Sequence, residues 1–269
     1  MNPRILFIVG PTASGKSKIA MQLAKRLGGE IVSADSMQVY RGMDTGTAKP
    51  SKADRKKIPH HLLDVRSPAQ PFSVFDYRRL ALAKIRAIVK RGKLPVVTGG
   101  SGLYVRALLE GWTAKNRTLE SLGFQPSVIG IAKDRTALYA GIEKRVDQMF
   151  RKGLVREVEK ISKKKLSLTA SQAVGYKEIL NAFSGNSTLE EARALIKKNT
   201  RRLAKRQLTW FRKERGIQWV AWEDGDTANA MRNKILKLLS LRATEGSEAI
   251  PGLLRRVAPR NDGRAHGAR

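Results

Sequence analysis

Residues 10–17 read GPTASGKS, a match to G-x-x-x-x-G-K-[ST]. No other stretch restricts the fold as much. Such a loop wraps a chain of phosphates in backbone N–H groups, which requires a buried strand leading in and a helix N-terminus leading out. Both flanks are present: the apolar run Ile5-Leu6-Phe7-Ile8-Val9 precedes the loop, and a helical stretch follows from Lys16 to about Leu27. Gly10 and Gly15 stand where the chain turns without a Cβ. In this reading Gly10, Pro11, Thr12, Ala13, Ser14, Gly15, Lys16 and Ser17 form a diphosphate or nucleotide site. Lys16 is its point charge, and Ser17 Oγ is placed for Mg²⁺. A glycine-rich turn that happens to contain a lysine is the plainer alternative, and it explains neither flank. The loop does not reveal which phosphate-bearing molecule it holds.

Downstream, apolar runs alternate with helical periodicity. Glu30-Ile31-Val32-Ser33-Ala34-Asp35 reads as a second strand, polar turn-rich sequence fills 41–59, and His61-Leu62-Leu63-Asp64-Val65 is a short apolar piece. Residues 75–90 have helical spacing, Leu94-Pro95-Val96-Val97-Thr98 is a buried strand closed by GGSG (99–102), and a helix follows over 103–109. This pattern predicts an α/β fold: a P-loop NTPase-like parallel sheet flanked by helices, with a helix-rich basic C-terminal half. The expected organisation is a first core part over 1–111, a short connector over 112–127, core completion with basic helices over 128–242, and a disordered basic tail over 243–269. Within the third part, strands are expected at 128–132 and 219–222. Helices are expected at 134–150, 153–164, 170–183, 188–215 and 229–241.

Charge is the next constraint. Lys and Arg number 53 against 23 Asp and Glu in 269 residues, a formal net charge of +30 and a pI near 10.9. That excess points to a polyanionic partner, with nucleic acid ahead of a membrane surface. The absence of cysteine removes disulfides, thiol catalysis and zinc–thiolate sites. With no signal peptide and no run of membrane-spanning length, the chain is expected to be cytoplasmic.

Several residues carry chemistry. Asp35 stands at the C-terminal end of the second strand, where open α/β sheets bind ligands. Its carboxylate suits proton acceptance, orientation of a nucleophile or an approach to Mg²⁺ through water; capping the next helix is the alternative. Ser101 brings a hydroxyl beside the loop. Val96-Val97 runs into Thr98-Gly99, where an ATPase strand usually ends in a carboxylate, and this weakens a hydrolase reading. The run TRRLAKRQLTWFRKER (200–215) holds seven Lys or Arg residues beside Trp210 and Phe211, which suits a surface that tracks an RNA backbone. Arg201, Arg202, Lys205 and Arg206 are the favoured phosphate contacts, while Trp210 is equally consistent with base stacking or core packing. His60 and His61 have no partner at metal-ligand spacing and read as structural.

Taken together, GPTASGKS, SADSMQVYRGMDTGTAKP (33–50), PHHLLDV (59–65), LPVVTGGSGLYVRALLEG (94–111), LYAGIEKRVDQMFRKGLVREV (138–158), QAVGYKE (172–178) and TRRLAKRQLTWFR (200–212) resemble the tRNA dimethylallyltransferase (IPP transferase) family. The segments occur in the family's order and cover most of residues 5–220. The resemblance implies transfer of a dimethylallyl group from dimethylallyl diphosphate to N6 of the adenine on the 3′ side of the anticodon in tRNA, with Mg²⁺. It implies catalytic roles for Lys16, Asp35 and Ser101, with Arg145 on the diphosphate. Asp35, Ser36, Met37, Gln38 and Ser101 would meet the adenine. Gln172, Ala173, Val174, Gly175, Tyr176 and Lys177 would contact the tRNA anticodon stem-loop. So would Lys205, Arg206, Gln207, Leu208, Thr209, Trp210, Phe211 and Arg212. No membrane partner is implied, and the chain reads as a monomer.

The chemistry agrees with this resemblance. Ionisation toward an allylic cation needs a stabilised leaving diphosphate, and a weakly nucleophilic exocyclic amine needs a carboxylate. The adenine must also leave its stack. Two departures stand out. GGS replaces the family's usual GGT, so Ser101 supplies the hydroxyl. Between Gly111 and Val128 a short connector stands where the family carries a helical insertion, so RNA affinity is expected to lean on the basic helices and tail. Three other readings stay open: a transferase of the same fold acting on free adenine nucleotides, a nucleotide or nucleoside kinase, and an RNA-binding protein without catalysis.

Overall fold

The computed structural model of the chain describes residues 2–111, 117–223 and 225–245. Six strands form one sheet: β1 (Arg4–Val9), β2 (Gly29–Ser33), β3 (His60–His61), β4 (Leu94–Gly99), β5 (Gln125–Ala132) and β6 (Ile217–Ala221). Their order is β3-β2-β4-β1-β5-β6, and every pairing is parallel. The α/β architecture expected from the alternation of strands and helices is therefore present.

Strand β1 shows why the sheet is covered on both faces. Its side chains alternate, so Ile5, Phe7 and Val9 enter one apolar cluster while Leu6 and Ile8 enter another. Helices α1 (Lys16–Leu27) and α10 (Ala228–Glu245) close the Leu6 face through Ile19, Leu23, Met231 and Ile235. The Phe7 face is covered by α3 (Val74–Lys90), α4 (Gly102–Glu110), α5 (Arg135–Arg151), α6 (Leu154–Ser162), α8 (Tyr176–Phe183) and α9 (Leu189–Lys213). The carboxyl ends of β1, β2 and β4 lie at one edge, where such sheets bind ligands. No helix among the described residues is long and apolar enough to cross a membrane.

Several boundaries differ from expectation; the last strand, for one, runs Ile217–Ala221 rather than 219–222. The polar stretch 41–59 contains a short helix, α2 (Lys52–Lys57), whose start is fixed by Ser51 accepting from the Asp54 N–H. The helix expected over 170–183 is two, α7 (Leu168–Ser171) and α8, separated at Gly175, whose φ of 97° no helix sustains. Strand β5 starts at Gln125, and Leu119 and Phe124 are buried, so the described part of the connector is a packed turn; residues 112–116 lie outside the described residues. Helix α10 continues to Glu245, so residues 243–245 are helical where a disordered tail was expected; the rest of that tail lies outside the described residues.

Candidate active site

The phosphate loop joins β1 to α1. Ala13 (φ 62°) and Gly15 (φ 85°) adopt left-handed backbone, which turns successive N–H groups toward one concavity. Gly15 is the N-cap of α1 and makes no side-chain cap, so first-turn N–H groups remain for a ligand. Trp222 braces the loop from outside by donating from Nε1 to the Ser14 carbonyl at 2.8 Å.

Lys16 is buried, and its Nζ donates to the Pro11 carbonyl at 3.1 Å. Burial first, and then the Arg145 guanidinium, pull its pKa down to about 8, while Asp35 acts in the opposite sense. Burial likewise lowers the pKa of Arg145, again against the pull of Asp35. The Arg145 guanidinium makes no hydrogen bond or ion pair with another described residue. Two cations and one carboxylate therefore share the site.

Asp35 lies two residues beyond β2. Its Oδ1 accepts the N–H groups of Met37 (2.9 Å) and Gln38 (3.3 Å), while Oδ2 makes no hydrogen bond to a described residue. Asp35 thus caps a turn rather than the helix of the capping alternative, and its second oxygen borders the pocket. Ser101 secures the same turn from the end of β4, with its Oγ accepting from Ser36 N at 2.9 Å and donating to Ser36 Oγ at 3.1 Å. Gln38 accepts from Ser33 Oγ at 3.1 Å and donates from Nε2 to the Thr47 carbonyl at 3.2 Å. Thr98, in the position where an ATPase strand would carry a carboxylate, spends its hydroxyl on the Ile8 carbonyl at 3.0 Å.

One pocket gathers these groups. Thr12, Lys16, Ser17, Asp35, Met37, Gln38 and Arg145 line it, and Val146, Met149, Val174, Ile196 and Leu203 add an apolar wall. The sequence gives no sign of that wall, because apolar positions at helical spacing on α5 and α9 look the same whether they face core or ligand. Ser17 is exposed in the first turn of α1, and its hydroxyl makes no hydrogen bond to another described residue. It offers a hard oxygen atom of the kind that a phosphate-bound Mg²⁺ would use. No group of three or more His, Cys, Asp or Glu residues able to hold a metal occurs among the described residues. His60 also lines the pocket, with Nδ1 held 2.7 Å from the Ile58 carbonyl.

The residues expected on tRNA divide into three groups. Gln172, Lys177, Lys205, Arg206, Thr209 and Arg212 are exposed. Ala173, Val174 and Gly175 line the pocket instead. Tyr176 and Phe211 are fully buried, which corrects their expected place on RNA. The Tyr176 hydroxyl donates to Glu157 at 2.6 Å, and Glu157 also accepts from Thr45 N at 2.7 Å and Gly46 N at 3.1 Å, so this pair holds one rim of the pocket. Trp210 packs rather than stacks on a base: a Cβ on Gly102 would sit 2.2 Å from its Cδ1, and the Arg106 guanidinium lies 4.6 Å from its ring centroid. Leu208 is half-buried. Gln207 turns inward, its Oε1 accepting the Thr12 N–H at 2.8 Å. Arg201 is paired with Glu143 at 2.6 Å.

A family model described as IPP transferase matches residues 38–123 and 113–214. The chain is 36% identical to a tRNA dimethylallyltransferase of Pelotomaculum thermopropionicum over 308 aligned positions, covering 90% of this chain and 96% of the relative. That alignment exceeds the 269 residues of the chain, so the relative carries residues that this chain lacks. A tRNA dimethylallyltransferase 1 of Pelobacter propionicus is 40% identical over 289 positions, covering 82% of this chain and 94% of the relative. Among solved structures, the full-length tRNA isopentenylpyrophosphate transferase of Bacillus halodurans superimposes with a TM-score of 0.81 at 35% identity, covering 91% of this chain and 99% of that one. With its sheet, loop and pocket in that company, the chain belongs to the IPP transferase family.

Proposed function

We propose that this chain transfers a dimethylallyl group from dimethylallyl diphosphate to N6 of the adenine on the 3′ side of the anticodon in tRNA, releasing diphosphate. One observation carries the reading: a single pocket combines a phosphate loop and two cations, a carboxylate oxygen with no hydrogen bond among the described residues, and an apolar wall. In the transfer the C1–O bond of the allylic ester breaks and its electron pair leaves with the diphosphate. The loop N–H groups, Lys16 and Arg145 meet that charge, which grows in the transition state. The adenine N6 forms the new bond to C1 and gives up a proton, which Asp35 Oδ2 accepts. The apolar wall of Val146, Met149 and Ile196 shelters the allylic carbons from water.

Ser17 Oγ would help hold a Mg²⁺ ion, which would supply further charge neutralisation on the leaving group. The exposed cations Lys205, Arg206 and Arg212 suit the RNA backbone. One chain supplies every group named, so the reading needs no second copy.

The test is incubation with labelled dimethylallyl diphosphate, Mg²⁺ and either unmodified tRNA or AMP, followed by nucleoside analysis. Label on N6 of adenine from tRNA is the expected result. Label on AMP alone, or on neither acceptor, overturns the reading.

A further inference from the structure

Gln207 stands on the basic helix α9, on the same inward face as Leu203, Ala204 and Phe211, and its side chain reaches the phosphate loop. Its Oε1 accepts the Thr12 N–H at 2.8 Å. Its Nε2 lies against the opposite side of the pocket, where a Cβ on Gly100 would fall 2.4 Å away. The amide thus lies between the phosphate loop and the 99–102 turn. One turn further along α9, Trp210 is seated against Gly102, and Glu214 pairs with Arg106 at 2.5 Å. The helix that carries Gln207 is therefore fixed to α4.

A phosphate loop binds anions because its N–H groups converge on a site that offers donors and no acceptors. Lys16, Ser17 and the amides next to the start of α1 occupy one end of this arc. Thr12 is on the incoming limb, at the other end. There Gln207 removes the donor and replaces it with a carbonyl oxygen, itself an acceptor. A phosphate oxygen brought to that position loses a hydrogen bond and meets a partial negative charge. At its Thr12 end the loop's N–H is engaged by a residue 195 positions away.

We propose that Gln207 is a specificity-determining residue that ends the phosphate site after two phosphates. It favours a diphosphate ester and rejects a polyphosphate of three units, nucleoside triphosphates included. The inference rests on the proposed function, in which the loop holds the departing diphosphate. It gives a physical reason why a loop sequence shared with kinases need not accept a kinase's donor.

The test compares the affinities of inorganic diphosphate and inorganic triphosphate for the full chain at fixed pH and free Mg²⁺, by calorimetry. The wild-type chain is expected to bind diphosphate more tightly, despite the greater charge of triphosphate. Gln207→Met keeps the length and removes the acceptor, and it is expected to shift the ratio of the two affinities toward triphosphate by about tenfold or more. Gln207→Glu keeps an acceptor and adds charge, so it should weaken triphosphate more than diphosphate. A general loss of packing would weaken both anions alike and leave the ratio unchanged. Equal wild-type affinities, an unmoved ratio in a folded Met variant, or equal weakening of both anions in the Glu variant overturns the inference while leaving the transferase reading intact. Failure of the wild-type chain to bind diphosphate at all overturns both.

Discussion

Lys16 Nζ donates to the Pro11 carbonyl at 3.1 Å, so the cation of the phosphate loop is folded back over the loop's own backbone. Its burial and the nearby Arg145 hold its pKa at about 8, below the ordinary 10.5. A bound diphosphate offers the counter-charge that those surroundings withhold, and so favours the protonated form.

Affinity for a prenyl diphosphate should therefore fall as pH rises through about 8, where the free site releases the Lys16 proton, by at most about tenfold per pH unit. Folding linkage has the opposite sign. The unfolded lysine keeps its proton up to about 10.5, so between the two values this residue's contribution to stability rises with pH. Binding titrations from pH 7 to 9.5 check the first statement. Lys16→Met should bind more weakly and lose this pH dependence, and a wild-type affinity that stays level across the range contradicts the account.

The rim of the pocket depends on Glu157, which accepts from Tyr176 Oη, Thr45 N and Gly46 N at once. Burial and the neighbouring carboxylate push the Tyr176 phenol far above its ordinary range, so it remains the donor. Tyr176→Phe deletes one of three bonds to a carboxylate that keeps its other two, a cost of about 1 kcal/mol. Glu157→Gln turns an amide NH₂ toward at least one of these donors, at a cost of about 2 kcal/mol. Thermal denaturation should rank the glutamine variant as the less stable. The reverse order contradicts this arrangement.

Lys205 and Arg212 are exposed on α9 with no carboxylate partner among the described residues, whereas Arg201 is engaged by Glu143. Each phosphate contact removed should lower the slope of log K against log salt by about 1. Lys205→Ala and Arg212→Ala are each expected to do so without altering prenyl diphosphate affinity. An unchanged salt slope in both variants places the RNA elsewhere.

What the sequence reveals follows the range of the interactions. The phosphate loop, α1 and β1 are readable because their determinants lie within twenty-odd consecutive residues. The break between α7 and α8 is not. Ala170, Ala173, Tyr176 and Ile179 keep a near-helical spacing across it, while the backbone leaves the helix over residues 172–175, ending at the positive φ of Gly175. In the site, Asp35 and Ser101 are legible as strand-end residues, but the bond from Ser101 to Ser36 spans 65 positions. Gln207 lies in a run of cations that reads as RNA-facing, and nothing local marks one side chain as turned toward Thr12. Trp210 was open between two roles because its partner is the empty space above Gly102. The apolar wall of the pocket is hidden among core positions for the same reason: composition does not distinguish a face covered by protein from one covered by substrate.

The account centres on Asp35 serving two ends, with Oδ1 holding the turn and Oδ2 taking the proton. Asp35→Asn tests this most directly, since the amide oxygen can still accept from Met37 and Gln38 while the proton acceptor is lost. Single-turnover transfer of labelled dimethylallyl to tRNA, with melting temperature and prenyl diphosphate affinity measured in parallel, separates the two roles. We expect transfer slowed by about 10²–10⁴-fold with folding and diphosphate binding near wild type. Transfer at the wild-type rate in a folded Asp35→Asn chain contradicts the account.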